Sequence, residues 1–277
     1  MNSYRYKFYP SILDCFQHYL DADKEFEDAF NIDADGNYKV SLDDITEARL
    51  QELLDRINRV PREPIPAADK GTCFNMLVDI VAANPIALVR QGDQYDCYSM
   101  EMNGAEYRYS RQLIDKIGEW YRGCPSQVYT AAPIETAYGR VLLYGYIDEI
   151  REGKVCDLKT TSRYSFGKYE HYWQRYLYPY CLQRNNLMKP EAFVFDVIQW
   201  RELKGQPLDG VRYQEEYTYL HDVAEEKLRG ICERFAERSV DVENAIHDAR
   251  NAFDRVAPVL ALLVLALFAL AIWYVKR

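Results

Sequence analysis

Apolar residues recur with two different periods along this chain. In SLDDITEARLQELLDRINR (41–59), Leu42, Ile45, Leu53, Leu54 and Ile57 share one face of a 3.6-residue repeat. Ser41 stands where a capping hydroxyl belongs. The spacing predicts a helix there. It predicts further helices over 72–83, stopped by Asn84–Pro85, over 111–123 and over 221–239. KYEHYWQRYLYPYCLQRN (168–185) predicts another, kinked or broken at Pro179. The Pro-rich PREPIPAADKG (61–71) reads as a loop. Between the helices the period shortens. QVYTAAPIETAYG (127–139), RVLLYGYIDEI (140–150), KVCDLKTT (154–161), AFVFDVIQW (192–200) and RYQEEYTYL (212–220) read as strands with short breaks. Helices flanking mostly antiparallel strands predict a mixed α/β domain over 1–250 around one central sheet.

The last stretch has neither period. From Val256 to Val275, VAPVLALLVLALFALAIWYV runs 20 residues without a charge. As a helix it would be roughly 30 Å long, the thickness of a bilayer core. Twelve of its residues are Leu, Ile, Val or Phe, and Trp273, Tyr274, Lys276 and Arg277 follow as an interfacial anchor would. A globular helix keeps a polar face and this one has none, so a transmembrane anchor is expected. The other reading is a helix buried in a core. Arg250 and Arg255 before the segment balance Lys276 and Arg277 after it, so charge does not orient it.

Composition narrows the setting. Across 277 residues the net charge is −9, which excludes a protein that coats nucleic acid along its whole surface. Seven scattered cysteines without a CxxC pair fit reduced thiols better than disulfides or zinc. With the anchor, this places a cytoplasmic domain on the inner face of a membrane. NIDADGNYKVSL (31–42) mimics a calcium loop, but Leu42 occupies the position that needs a bidentate Glu, so Asp35–Gly36 reads as a turn.

The chemistry concentrates in GYIDEIREGKVCDLKTT (145–161). A turn at Glu152–Gly153 pairs 151 with 154, 150 with 155 and 149 with 156. Asp148 then lies opposite Asp157, and Lys159, two residues on, shares their face. Facing carboxylates repel, and a divalent cation between them converts that cost into affinity. The lysine would act on water or on charge developing at a phosphate. The alternative is an ordinary solvated hairpin face. Downstream, Gln174 and Tyr178 are four apart and share a helical face.

The order GYID, DLKTT, QRYLY resembles the PD-(D/E)XK nuclease superfamily in its RecB-like exonuclease branch, whose signature runs G-x-x-D, (D/E)-x-K-T, Q-x-x-x-Y. The resemblance spans roughly residues 8–220, with YPSILDCFQHYL matching an early stretch of the branch more loosely. It implies a restriction-endonuclease-like mixed sheet flanked by helices. It also implies a metal-dependent deoxyribonuclease of the kind that processes phage or mobile-element DNA. By position, Asp148, Asp157 and the Leu158 carbonyl would hold Mg²⁺ or Mn²⁺. Lys159 would be the catalytic lysine, and Gln174 and Tyr178 would orient the lysine, water or DNA. Where the branch often has G-x-x-x-H, this chain has Gly71 to Asn75, so Asn75 would offer a neutral oxygen or be a surface residue. Some relatives carry an iron–sulfur cluster on one early and three late cysteines. Here only Cys181 and Cys232 follow the Q-x-x-x-Y segment, so none is expected.

DNA contact has a local charge signal. Residues 159–189 hold Lys159, Arg163, Lys168, Arg175, Arg184 and Lys189 against Glu170 alone, +5 in a chain whose remainder carries −14. Tyr164, Phe166, Tyr169, Tyr172, Trp173 and Tyr176 are interleaved. Bases and phosphates would find partners here, Arg163, Lys168 and Arg175 above all, though a helix also needs aromatics for its core. Two rival functions remain open: a non-catalytic nucleic-acid-binding module on a nuclease-like fold, and a membrane-anchored interaction protein.

Overall fold

The computed structural model describes residues 4–28, 31–33, 35–61, 63–83 and 97–238. The chain forms two compact units. One comprises Met1–Pro61, Glu135–Leu142 and Arg229–Arg277; the other comprises Arg62–Ile134 and Leu143–Leu228. The uncharged segment 256–275 lies outside the described residues. Among the described residues, no helix is long and apolar enough to cross a membrane.

In the first unit, β1 (Tyr6–Phe8) leads into α1 (Pro10–Leu20), where Pro10 takes the first helical position that tolerates a missing N–H. α2 (Ala22–Phe26) and α3 (Leu42–Asn58) follow. Ser41 Oγ accepts the Asp44 N–H at 3.2 Å, the cap expected from the sequence. The Phe235 ring packs against Phe8, Phe16 and Tyr6, with centroids 4.6, 4.9 and 5.8 Å away. The segment resembling a calcium loop is a turn. Asp33 Oδ1 accepts the N–H groups of Asp35 and Asn37 at 2.9 Å each, and Ile32 bridges to Tyr38.

Most of the central mixed sheet and its flanking helices belong to the second unit, the end of β4 and the start of β5 being counted with the first. Strands β5 (Gly139–Arg151), β6 (Lys154–Thr161), β7 (Ala192–Arg201) and β8 (Asp209–Thr218) lie in that order, and β4 (Ser126–Thr136) also pairs with β5. The hairpin register is the expected one: Arg151 opposite Lys154, Ile150 opposite Val155, Glu149 opposite Cys156. Its two-residue turn puts Glu152 and Gly153 at φ 50° and 78°, the left-handed pair that matches strand twist. β7 and β8 are antiparallel, but β6 and β7 run parallel, so the sheet is less antiparallel than the strand pattern suggested. A parallel pair needs a crossover, and α6 (Gln174–Arg184) supplies it.

Helix limits differ from the periodicity in two places. α4 spans Pro66–Ala83, so part of the expected 61–71 loop is helical. Pro66 opens the helix, and Ile65 O accepts the N–H groups of Ala68 and Asp69. α6 begins at Gln174, because 165–172 close successive three-residue turns instead, and it runs through Pro179. A hairpin with no sequence forecast, β2 (Cys97–Met102) and β3 (Ala105–Ser110), turns at Asn103–Gly104. It joins α4 and α5 (Arg111–Trp120) in one core against the sheet, with Phe74, Leu77, Ile114 and Tyr109 packed on Leu158, Ile198 and Trp200. Each such aliphatic or Phe side chain stabilises by about 1.5–3 kcal/mol.

Candidate active site

Alternation along β6 separates its residues between two faces. Cys156 and Leu158 join the α4–α5 core, which turns Asp157 and Lys159 toward α6. Asp157 is only 2 % exposed. Its Oδ1 accepts Gln174 Nε2 at 2.7 Å, which ties the first residue of α6 to the strand. Lys159 Nζ stands 2.8 Å from Asp157 Oδ2, close enough for an ion pair, yet that oxygen has no aligned hydrogen-bond donor. Asp148 does not complete the ladder with its backbone. Its Oδ2 accepts the Leu158 N–H at 3.0 Å, so the carboxylate sits where the two strands begin to part.

The glycines of the motif have steric reasons. A Cβ on Gly145 would lie 2.7 Å from the Tyr178 ring, so that ring rests on bare strand backbone. A Cβ on Gly71 would lie 2.7 Å from Thr160 Oγ1, so α4 approaches β6 as closely as it can. One turn on, Asn75 Nδ2 donates to the Leu158 carbonyl at 3.2 Å. Asn75 is half-buried, and the carbonyl expected as a metal ligand already accepts its hydrogen bond. Another turn on comes Asp79, held by Gln127 Nε2 at 3.2 Å. The Glu149 carboxyl, 1 % exposed and without an aligned donor, lies alongside it.

Asp79 and Glu149 were not singled out in the sequence. The i, i+4, i+8 spacing of Gly71, Asn75 and Asp79 was the available signal, together with the pairing of Glu149 opposite core Cys156. Burial dominates the electrostatics. Burial, then the Asp157 carboxylate, pushes the Asp148 carboxyl up to about 7. Burial, then Asp79, pushes Glu149 up to about 9, and burial also raises Asp79. At Lys159 burial works against the ammonium, but Asp157 and Asp148 outweigh it and hold its pKa above the ordinary lysine value.

Asn75 Oδ1 and Gln174 Oε1 are buried without a hydrogen-bond partner, and Asp157 Oδ2 has the Lys159 ammonium beside it but no aligned donor. With Asp148 these are oxygen donors, the type a hard divalent cation takes. Among the described residues, three or more His, Cys, Asp or Glu side chains do not converge as a metal cage.

The basic residues separate. Arg163 is exposed. Lys168 Nζ is engaged within its own loop, on Thr161 Oγ1 at 2.6 Å and the Arg163 carbonyl at 2.9 Å. Arg175 donates to the Glu170 carbonyl and stacks on Tyr176 and Tyr217, at the wall of a 370 Å³ cavity that Lys227 also lines. Of the aromatics, Tyr169 and Trp173 are core, whereas Phe166 stands in solvent.

No family model matches this chain, and no curated protein matches it. Among solved structures, SSO0001 is similar over 84 % of this chain and 78 % of its own, at 12 % identity and a TM-score of 0.36. A "Putative exonuclease" from Eubacterium rectale is similar over 73 % of this chain and 74 % of its own, at 13 % identity and a TM-score of 0.40. Likenesses this distant carry no argument, and the functional reading rests on the site itself.

Proposed function

We propose that the protein is a divalent-metal-dependent deoxyribonuclease, with Mg²⁺ or Mn²⁺ at Asp148 and Asp157. The observation that carries this reading is the meeting of Asp148, Asp157, Lys159 and Gln174 where β5 and β6 part. The cation, when bound, polarises a phosphoryl oxygen and acidifies water. The Leu158 carbonyl and Asn75 Oδ1 would offer it neutral oxygens. Gln174 holds one oxygen of the Asp157 carboxylate, and the other, paired with Lys159 Nζ, would be the one offered to a cation. Lys159, whose Nζ is 2.8 Å from Asp157 Oδ2, would place its positive charge beside the scissile phosphate. Tyr178 holds the C-terminal side of the site against Gly145. Arg163, Lys168 and Arg175 supply phosphate contacts, Lys168 after exchanging its bonds within the loop.

The test is cleavage of linear and circular DNA with Mg²⁺, by the parent, Lys159→Ala and Asp157→Ala chains. The parent cleaves, and each variant loses roughly 10²–10⁴-fold, the range for one positioned catalytic group. Retained cleavage by either variant overturns the assignment of that residue. Binding without cleavage under any divalent cation favours the non-catalytic module, which the Asn75 bond to the Leu158 carbonyl also suits. Membrane attachment through 256–275 belongs to the same proposal. Truncation at Val256 should move the chain to the soluble fraction and leave cleavage intact.

A further inference from the structure

Between Lys159 and Gln174, which both contact Asp157, the chain makes one loop. Phe166 lies near its middle and is 82 % exposed, the most exposed large apolar side chain among the described residues. The loop around it is firmly built. Glu215, 2 % exposed, accepts the Tyr164 hydroxyl and the Gly167 N–H, two and one residues either side of Phe166. Tyr217 donates to the other Glu215 oxygen at 2.6 Å. The Tyr164 ring stacks on Tyr213 with centroids 4.6 Å apart. Lys168 clamps the neck through Thr161 and the Arg163 carbonyl. On the Lys159 side, Tyr169 and Tyr172 pack on Phe195, and Lys159 Nζ sits 5.6 Å from the Tyr172 ring.

A chain that buries Tyr169 and anchors Tyr164 has ordered this loop while leaving its one Phe in water. The hydrogen bonds fall on both sides of Phe166 and none reaches over it, so the ring is presented, not mislaid. Its surroundings identify the guest. Arg163 and Lys168 flank Phe166 with Ser162 and Ser165, and the carboxylate that follows in sequence is Glu170, packed beside Gly167. A flat apolar face among cations and hydroxyls matches a nucleobase with its flanking phosphates. It does not match an apolar protein surface, which would want more than one exposed ring.

We infer that Phe166 stacks on an unpaired base of the strand held at the Asp148–Asp157 site, with Arg163 on a neighbouring phosphate. This rests on the nuclease reading and narrows its substrate. A base inside an intact duplex is already stacked on both faces, so the strand must be single, frayed or at an end. The preferred substrate is therefore single-stranded DNA or a duplex with an unpaired terminus.

The test uses the full chain and a single-stranded oligonucleotide carrying 2-aminopurine, first in EDTA and then with Mg²⁺. The parent should quench the 2-aminopurine in EDTA. Phe166→Ala should lose the quench and bind roughly 5- to 150-fold more weakly, the range for one base–aromatic stack. Phe166→Trp should restore both. With Mg²⁺, Phe166→Ala should raise KM on single strands by a similar factor, with its circular dichroism melt unchanged. Equal binding and quenching by parent and Phe166→Ala overturns the inference while leaving the nuclease reading intact. Quenching that depends on Phe166, without cleavage under any divalent cation, supports the stack and sinks the nuclease reading. A parent that neither quenches nor binds ends both.

Discussion

Gln174 Nε2 donates to Asp157 Oδ1 at 2.7 Å, and this bond fixes the carboxylate that the whole site is built around. Asp157 is buried, so no water stands ready to replace the donor. Gln174→Ala should therefore raise the Mg²⁺ concentration for half-maximal cleavage about 10–100-fold, as loss of an orienting partner does. Gln174→Glu should be worse, because it sets a second carboxylate against a buried one. Metal titrations followed by calorimetry and by cleavage check both.

The metal-free chain should lose stability as pH rises from about 5 to 9. The sign follows from two raised carboxyls. Glu149 titrates near 4.5 when unfolded and is pushed to about 9 by burial and Asp79; Asp148 moves from 3.8 to about 7. Over that window the folded chain holds protons that the unfolded chain has released, so stability is greatest below the unfolded values and falls until the folded values are passed. Glu149→Gln should flatten the upper part of the slope. Thermal melts in EDTA at pH 5, 7 and 9 measure it. A melting temperature that climbs with pH would contradict the burial of these groups.

Gly145→Ala should destabilise by about 1–3 kcal/mol, the usual cost of forcing a packed ring aside. The added Cβ meets the Tyr178 ring at 2.7 Å. Pairing it with Tyr178→Leu should recover part of the loss, since the smaller side chain vacates the contact. Urea unfolding of the two single variants and the double closes the cycle.

Asp196→Ala should cost about 3–5 kcal/mol without touching the proposed chemistry. Asp196 is fully buried opposite Leu158 in the parallel pair. It accepts Arg212 Nε and Nη2 at 2.7 and 2.6 Å and the Tyr121 hydroxyl at 2.6 Å. Removing the carboxylate leaves a mostly buried guanidinium without its ion-pair partner. Arg212→Met with Asp196→Leu should be milder than the single change, which chemical denaturation resolves.

The hairpin was legible because its turn and its two-residue period agree, and the register from Arg151–Lys154 to Glu149–Cys156 followed from them. The parallel pairing of β6 with β7 was not, because strand residues carry no mark of direction; only the α6 crossover decides it. Residues 66–71 read as loop because Pro dominates their neighbourhood, while Pro at a first helical position is a start signal. Asp79 and Glu149 escaped notice for a different reason. A carboxyl reads as surface in any hydropathy pattern, and only tertiary packing can force it inside.

Asn75 occupies the corner where a histidine would bring a titrating nitrogen, and its amide instead grips the Leu158 carbonyl. An amide neither gains nor loses a proton across the physiological range, and it offers borderline-soft ions no imidazole. If a cation is held here as proposed, this position adds no imidazole preference for zinc or copper beyond their general affinity for oxygen ligands, and no inflection near neutrality is traceable to it.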